Sequence, residues 1–189
     1  MKITKNDITL SNGLSLLRLF LAIPFWILLN NFQDQENRTY LILIGVVVVF
    51  TDWADGYFAR KFNQITEVGK LIDPLADKVC AGILITKLYL IGEITPILFF
   101  ILIGRDVLIF IAGIFLTKYL GKILPSNFLG KVTVTVIALF IFMICFGVNK
   151  EGLAYQFVYY LIISLSFLSL IAYAIRAIEF IKKRKHGFI

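Results

Sequence analysis

Six long runs of apolar residues, separated by short polar stretches, dominate the 189-residue chain. Each run approaches the roughly 20 mostly apolar residues that a membrane-spanning helix needs. We therefore predict an all-α integral membrane protein with six transmembrane helices. The predicted spans are residues 13–30, 39–59, 71–92, 94–117, 130–149 and 155–181.

The composition agrees with a membrane protein and narrows its chemistry. Hydrophobic residues make up 59% of the chain, against roughly 45–50% in a soluble domain. We predict one membrane domain, residues 1–189. The chain has one histidine, His186, and its two cysteines, Cys80 and Cys145, lie inside apolar runs. This pattern disfavours a zinc enzyme and a disulfide-bonded fold.

The positive charges predict the orientation of the chain. The net charge is +7, and most Lys and Arg residues fall in alternate connections, where they attract anionic lipid instead of nucleic acid. The first, third and fifth connections hold only Arg38 and Lys150. We predict a multi-pass protein of the cell (inner or plasma) membrane with both termini in the cytoplasm. The basic residues on the cytoplasmic side are Lys2, Lys5, Arg60, Lys61, Lys70, Lys118, Lys122, Lys131 and those at 182–185.

Four aspartates lie in or beside two predicted spans, where a charge costs roughly 2.5–3.5 kcal/mol on insertion scales. Asp52 and Asp55 are three residues apart near the cytoplasmic end of the second span. Asp73 and Asp77 are four residues apart near the start of the third. Either spacing places a pair on one helix face. Because a short connection joins the two helices, we expect antiparallel neighbours with the four carboxylates at a similar depth.

Four carboxylates this close repel one another unless cations neutralise them. Oxygen ligands suit hard ions such as Mg²⁺, Ca²⁺ or Mn²⁺. Gly56 and Ala59 follow the first pair, and small residues let a ligand approach. We predict a metal site at the cytoplasmic face with room for a phosphate-bearing ligand. The alternative is that the acids form ion pairs with Arg60, Lys78 or Arg105.

Residues 52–77 read DWADGYFARKFNQITEVGKLIDPLAD. This segment resembles the signature of the CDP-alcohol phosphotransferases, D-x-x-D-G-x-x-A-R-x8-G-x3-D-x3-D. All eight fixed positions match, and six spans with the signature across the second and third agree with the family. The matching residues are Asp52, Asp55, Gly56, Ala59, Arg60, Gly69, Asp73 and Asp77.

The resemblance implies a reaction and a role for each signature residue. Two divalent ions, Mg²⁺ or Mn²⁺, would bind the diphosphate of a CDP-linked lipid. All four aspartates would be metal ligands, and Asp77 would also be the general base for the acceptor hydroxyl. The family commonly forms homodimers. By the same resemblance, the cytidine and diphosphate pocket would be formed by Gly56, Ala59, Arg60 and Gly69.

Two further segments indicate the acceptor. DPLADK and SNGLSLLRLFLAIP resemble the phosphatidylglycerophosphate branch of the family and the related eukaryotic-type cardiolipin synthases. This implies transfer from CDP-diacylglycerol to glycerol 3-phosphate, giving phosphatidylglycerophosphate and CMP. The sequence Gly104-Arg105-Asp106 departs from that branch, in which Arg-Glu is more frequent in bacteria. Phosphatidylglycerol, inositol phosphate and serine therefore stay open as alternative acceptors.

A phosphorylated acceptor needs cations, and Arg105, Lys131 and Arg176 lie near predicted cytoplasmic helix ends. Arg can bind phosphate bidentately. Alternatively, Arg105 pairs with a signature aspartate, and the other two follow the positive-inside bias. We expect Asp106 to pair locally. A transporter or ion pathway is the alternative of another class, but it predicts acids spread through the bilayer or in related halves.

Overall fold

The computed structural model describes residues 10–61, 69–120 and 128–185, and every regular element in these ranges is helical. Each predicted span coincides with one helix, so the all-α class and the six helix positions are confirmed. The elements are α1 (Leu10–Leu28), a 3-10 turn (Leu29–Asn31), α2 (Gln35–Lys61), α3 (Gly69–Leu90), α4 (Pro96–Leu120), α5 (Phe128–Cys145) and α6 (Leu153–Lys185). Only the backbone is described at 10–16, 18–19, 52–53, 55–61, 69–77, 118–120 and 183–185.

Three helices of the described ranges are long and apolar enough to cross a membrane. Among the described residues, a shorter apolar helical stretch covers Phe20–Asn31. Each of the six predicted crossings coincides with a helix of the described ranges, and three of these helices have long apolar spans within those ranges. These spans are Pro96–Thr117, Phe128–Cys145 and Leu153–Lys182.

Local chemistry sets the ends of three helices. Helix α4 begins at Pro96, after a Thr95 hydroxyl that accepts the Leu98 N–H at 3.2 Å, an N-cap with proline in the first position. Helices α3 and α5 are followed by Gly92 and Gly147, at φ of 76° and 68°. Both glycines belong to Schellman turns, in which a left-handed residue satisfies the last carbonyls. The predicted break at residues 91–93 is confirmed, whereas α5 stops before the predicted residue 149.

Parts of the predicted connections lie outside the described residues. These are the segments 62–68 and 121–127, which belong to the second and fourth connections. Four residues named above for their charge or for metal chemistry also lie outside the described residues: Lys2, Lys5, Lys122 and His186.

The chain divides into two compact units, Met1–Ile94 and Thr95–Ile189. In the first unit, α1 packs against both α2 and α3. Its core includes Leu29 and Leu41, which are fully buried, together with Leu88 at the end of α3. The buried Lys87 donates a hydrogen bond to the Asn30 side-chain oxygen and lies over the Trp26 ring. This contact ties the 3-10 turn to α3.

In the second unit, α6 packs against both α4 and α5. Thr95 and Tyr159 share a hydrogen bond of 2.8 Å, and Arg105 reaches Ser169. Ten residues thus separate the two contacts on both helices, so α4 and α6 run parallel. Helix α5 runs antiparallel to α6, because Thr133 near the start of α5 contacts Leu165, whereas the later Phe140 lies against the earlier Tyr155 with ring centroids 4.9 Å apart.

Candidate functional site

The four signature aspartates lie on helical backbone. Asp52 and Asp55 precede the end of α2 by nine and six residues, and Asp73 and Asp77 follow the start of α3 by four and eight. At about 1.5 Å per residue, the two pairs lie at similar distances from the ends that segment 62–68 connects. The helical spacing assumed in the sequence analysis therefore holds for both pairs. The side chains of these residues are outside the described set.

The other signature residues also fall in the two helices. Gly56, Ala59 and Arg60 lie in the last turns of α2, and Gly69 is the first residue of α3. Their arrangement as a nucleotide pocket stays a prediction, because their side-chain surroundings are outside the described set. Both helices pack against α1, so one helix supports the two halves of the signature.

Described residues beside the acidic positions show that this part of α2 is packed. Thr51 and Ala54 are both buried, and the Thr51 hydroxyl donates to the Val48 carbonyl at 2.9 Å. On α3, Cys80 is buried close after Asp77. Among the described side chains, no three His, Cys, Asp or Glu residues could hold a metal ion. The four signature aspartates are not among these side chains, so their role as metal ligands stays a prediction.

Arg105 is buried in the second unit, with 6% of the residue exposed, and makes two polar contacts. Its Nε donates to the Ser169 hydroxyl at 3.1 Å, and its Nη1 forms an ion pair with Asp106 Oδ1. The predicted local pairing of Asp106 is confirmed. The alternative pairing of Arg105 with a signature aspartate stays open, because the aspartate side chains lie outside the described residues.

Lys131 of α5 and Arg176 of α6 lie at different levels along the α6 axis. Thr133 of α5 lies against the Leu165 carbonyl, at 3.4 Å. Since α5 and α6 are antiparallel, Lys131 lies opposite about residue 167, close to the level of Ser169. Arg176 lies seven residues beyond Ser169, about 10 Å further along the helix. Arg105 and Lys131 therefore lie at about the same level along α6, and Arg176 lies about two helical turns further on.

Lys131 is exposed and Arg176 is half-buried with interactions of its own. The burial and fixed bonds of Arg105 distinguish it from these two cations. The acceptor-phosphate role of all three residues stays a prediction.

Two serines of α6, Ser166 and Ser169, belong to no motif of the sequence, and Ser169 lies at the contact with α4. Ser166 and Ser169 are fully buried, and the Ser169 hydroxyl donates to the Ser166 carbonyl at 2.9 Å. The Ser166 hydroxyl is buried without a hydrogen-bond partner among the described residues. Their spacing of three residues in an otherwise apolar helix is a weak signal, because small residues at helix contacts show the same pattern.

Comparison with known protein families identifies the class. The family model for CDP-alcohol phosphatidyltransferase matches residues 8–176, which is most of the chain. The chain belongs to this family, as the resemblance at residues 52–77 predicted. Family membership and the long apolar helices together make it a multi-pass membrane protein of phospholipid biosynthesis.

Individual relatives carry one enzyme name. The CDP-diacylglycerol–glycerol-3-phosphate 3-phosphatidyltransferase of Aquifex aeolicus (strain VF5) is 39% identical over 130 residues, covering 68% of this chain and 70% of the relative. That of Bacillus subtilis (strain 168) is 30% identical over 133 residues, covering 67% and 68%. That of Rickettsia bellii (strain RML369-C) is 36% identical over 109 residues, and there the match spans only 58% of the relative.

Proposed function

We propose that this chain transfers the phosphatidyl group of CDP-diacylglycerol to glycerol 3-phosphate, giving phosphatidylglycerophosphate and CMP. It is thus a CDP-diacylglycerol–glycerol-3-phosphate 3-phosphatidyltransferase. One observation carries the proposal: the complete signature at 52–77 lies on two helices that share α1 as their support. The names of the relatives support the same donor and acceptor.

The proposed metal ligands are Asp52, Asp55, Asp73 and Asp77. The donor set fits hard divalent ions, because it consists of carboxylate oxygens on two helices. Two such ions, Mg²⁺ or Mn²⁺, would supply charge neutralisation for the diphosphate and the departing CMP. Gly56, Ala59, Arg60 and Gly69 would bind the cytidine and diphosphate of the donor.

The bond changes require one proton acceptor. A hydroxyl of glycerol 3-phosphate attacks the β-phosphorus of the donor, a new phosphate ester bond forms, and the bond to CMP breaks. Asp77 takes the proton of the attacking hydroxyl. A carboxylate within reach of a nucleophile can act in this way when its pKa suits the task. Little covalent chemistry is left to the protein beyond this step, so positioning and charge carry most of the catalysis.

Arg105, Lys131 and Arg176 are the proposed cations for the acceptor phosphate. Arg105 is the strongest of the three, because a buried guanidinium held on two sides is already oriented. An oriented group loses less conformational freedom when a ligand binds.

The proposed setting is a homodimer in the cell membrane. Residues 1–189 form one domain with six crossings, both termini in the cytoplasm and the signature at the cytoplasmic face. The family model supports a single domain because it extends across both compact units. The alternate placement of Lys and Arg supports the orientation.

An acceptor panel tests the reaction. Purified protein would receive CDP-diacylglycerol labelled in its phosphatidyl group, Mn²⁺, and either glycerol 3-phosphate, phosphatidylglycerol, inositol phosphate or serine. We expect labelled phosphatidylglycerophosphate and stoichiometric CMP with glycerol 3-phosphate. CMP release with no acceptor of the panel would contradict the class of reaction. Release with a different acceptor alone would contradict only the assignment of glycerol 3-phosphate.

A further inference from the structure

We propose that Ser169 is a positioning residue that sets the orientation of Arg105 toward the phosphate of the acceptor. The inference rests on the proposed function, because it assumes that Arg105 contacts this phosphate. It adds a residue of α6 that lies outside the signature and that would act through the arginine, without touching the substrate itself.

The hydrogen bonds of Ser169 have a fixed direction. A serine hydroxyl has one hydrogen, and that of Ser169 is donated to the Ser166 carbonyl at 2.9 Å. Toward Arg105 the hydroxyl oxygen can therefore only accept, and the Nε–H at 3.1 Å can only donate. The two groups are matched in polarity, and the helix backbone holds the serine in place.

Among the described residues, these contacts leave the Nη2 amino group of the guanidinium for a ligand. Arginine has five N–H donors in a planar fork. The Nε–H is directed at Ser169, and Nη1 is paired with Asp106. Within the described residues, the structure gives Nη2 no partner. Since the group is planar, fixing Nε and Nη1 also fixes the direction of Nη2, which remains for a phosphate oxygen.

The contact belongs to an ordered helix pair. The Thr95–Tyr159 and Arg105–Ser169 hydrogen bonds have the same offset of 64 residues, so α4 and α6 stay in register between them. The simpler explanation of Ser169 is that a small residue lets the two helices approach. Alanine keeps that small size and removes only the hydroxyl. Ser169→Ala therefore separates packing from positioning.

The first measurement is the kinetics of Ser169→Ala with each substrate. We expect the KM for glycerol 3-phosphate to rise by about threefold to tenfold, the range of hydrogen bonds between membrane helices. The KM for CDP-diacylglycerol should stay within about twofold, because Ser169 is not one of the signature residues proposed to bind this donor. Ser164→Ala is the matched control, since Ser164 lies on the same helix and is exposed. It should behave like wild type.

A double-mutant cycle with Arg105→Lys tests whether Ser169 acts through the arginine. Lysine lacks the Nε–H, so the hydrogen bond from residue 105 to the serine hydroxyl is absent in that background. We expect Arg105→Lys and Arg105→Lys/Ser169→Ala to have the same affinity for glycerol 3-phosphate. If the two substitutions weakened binding of glycerol 3-phosphate by factors that multiply in the double variant, the inference would be overturned, because independent sites combine in that way. Binding of labelled glycerol 3-phosphate supplies the affinities if the lysine variants do not turn over.

The outcomes separate the inference from the function on which it rests. Absence of phosphatidylglycerophosphate from the wild type would contradict the proposed function. An active wild type with an unchanged KM in Ser169→Ala would contradict only the positioning role. Equal increases in both KM values, with a lowered melting temperature, would indicate a structural role and also overturn the inference.

Discussion

The Arg105–Asp106 ion pair should stabilise the fold without taking part in the chemical step. Replacing Asp106 tests both parts of this prediction. Asp106→Asn keeps the shape of the side chain and an oxygen that can accept from Nη1, but removes the negative charge. Arg105 is 6% exposed, whereas the side chain of Asp106 is 28% exposed. The variant therefore leaves a buried guanidinium beside a neutral acceptor that water can partly reach.

The expected loss of stability lies between two limits. Breaking a fully buried pair costs about 3–5 kcal/mol, and an exposed pair contributes about 0–1 kcal/mol. The retained hydrogen bond and the partial exposure of Asp106 place the loss at about 1–2 kcal/mol. For a chain of this size, that corresponds to a fall in melting temperature of about 2–8 °C.

Thermal unfolding in detergent, followed by tryptophan fluorescence, measures this change. Glu179→Gln is the matched control, because it removes one carboxylate from an exposed position on α6. Below the melting transition, Asp106→Asn should keep its kcat within about threefold, because general acid–base groups contribute about 10²–10⁴ and Asp106 is not one of them. An unchanged melting temperature would refute the energetic role of the pair. A folded variant with activity reduced about a hundredfold would refute its purely local role.

Three further predictions concern other regions of the chain. Asp77→Asn should lower turnover by about 10²–10⁴, the range for loss of a general base, and the variant should still bind CDP-diacylglycerol in a filter assay. Near-normal turnover would contradict the role of Asp77 as general base. Gly92→Ala should lower stability by about 1–2 kcal/mol, because alanine is disfavoured at φ of 76°. Gly82→Ala, in a helix with open space, should be neutral or stabilising in the same unfolding assay. Lys87→Met should change stability by less than about 1 kcal/mol, since lost polar contacts are offset by removal of a buried charge; a larger loss would show that the ammonium is a net stabiliser.

The sequence was sufficient to predict the six helices and the family. Apolar runs of about 20 residues have few structural alternatives, and eight fixed signature positions at fixed spacings rarely occur by chance. The end of the third predicted span, residue 92, lies within two residues of the end of α3 at Leu90. The end of α5 was placed late, because apolar residues continue past Cys145 and the turn at Gly147 depends on backbone geometry.

The contacts of the acceptor cations could not be predicted in the same way. The pairing of Asp106 follows from its place next to Arg105 in the chain. The Arg105–Ser169 bond depends on which face of α4 meets α6, and that choice is made by packing between segments 64 residues apart. Apolar helices that are hydrophobic on all sides show little periodicity, so their contact faces are not apparent from sequence. The Lys87–Asn30 hydrogen bond could not be predicted for the same reason, since it also depends on packing between distant segments.

The central claim is that four aspartates at 52–77 hold two divalent ions for the CDP-lipid. Titration of the purified protein with Mn²⁺ in the presence of CDP-diacylglycerol, followed by electron paramagnetic resonance, tests it most directly. We expect two bound ions per chain, with magnetic coupling between them, since paired ions in such sites lie about 3.5–4 Å apart. Asp73→Asn should reduce the number bound, whereas Glu179→Gln should not. Binding of no Mn²⁺, or equal binding after substitution of all four aspartates, would contradict the account.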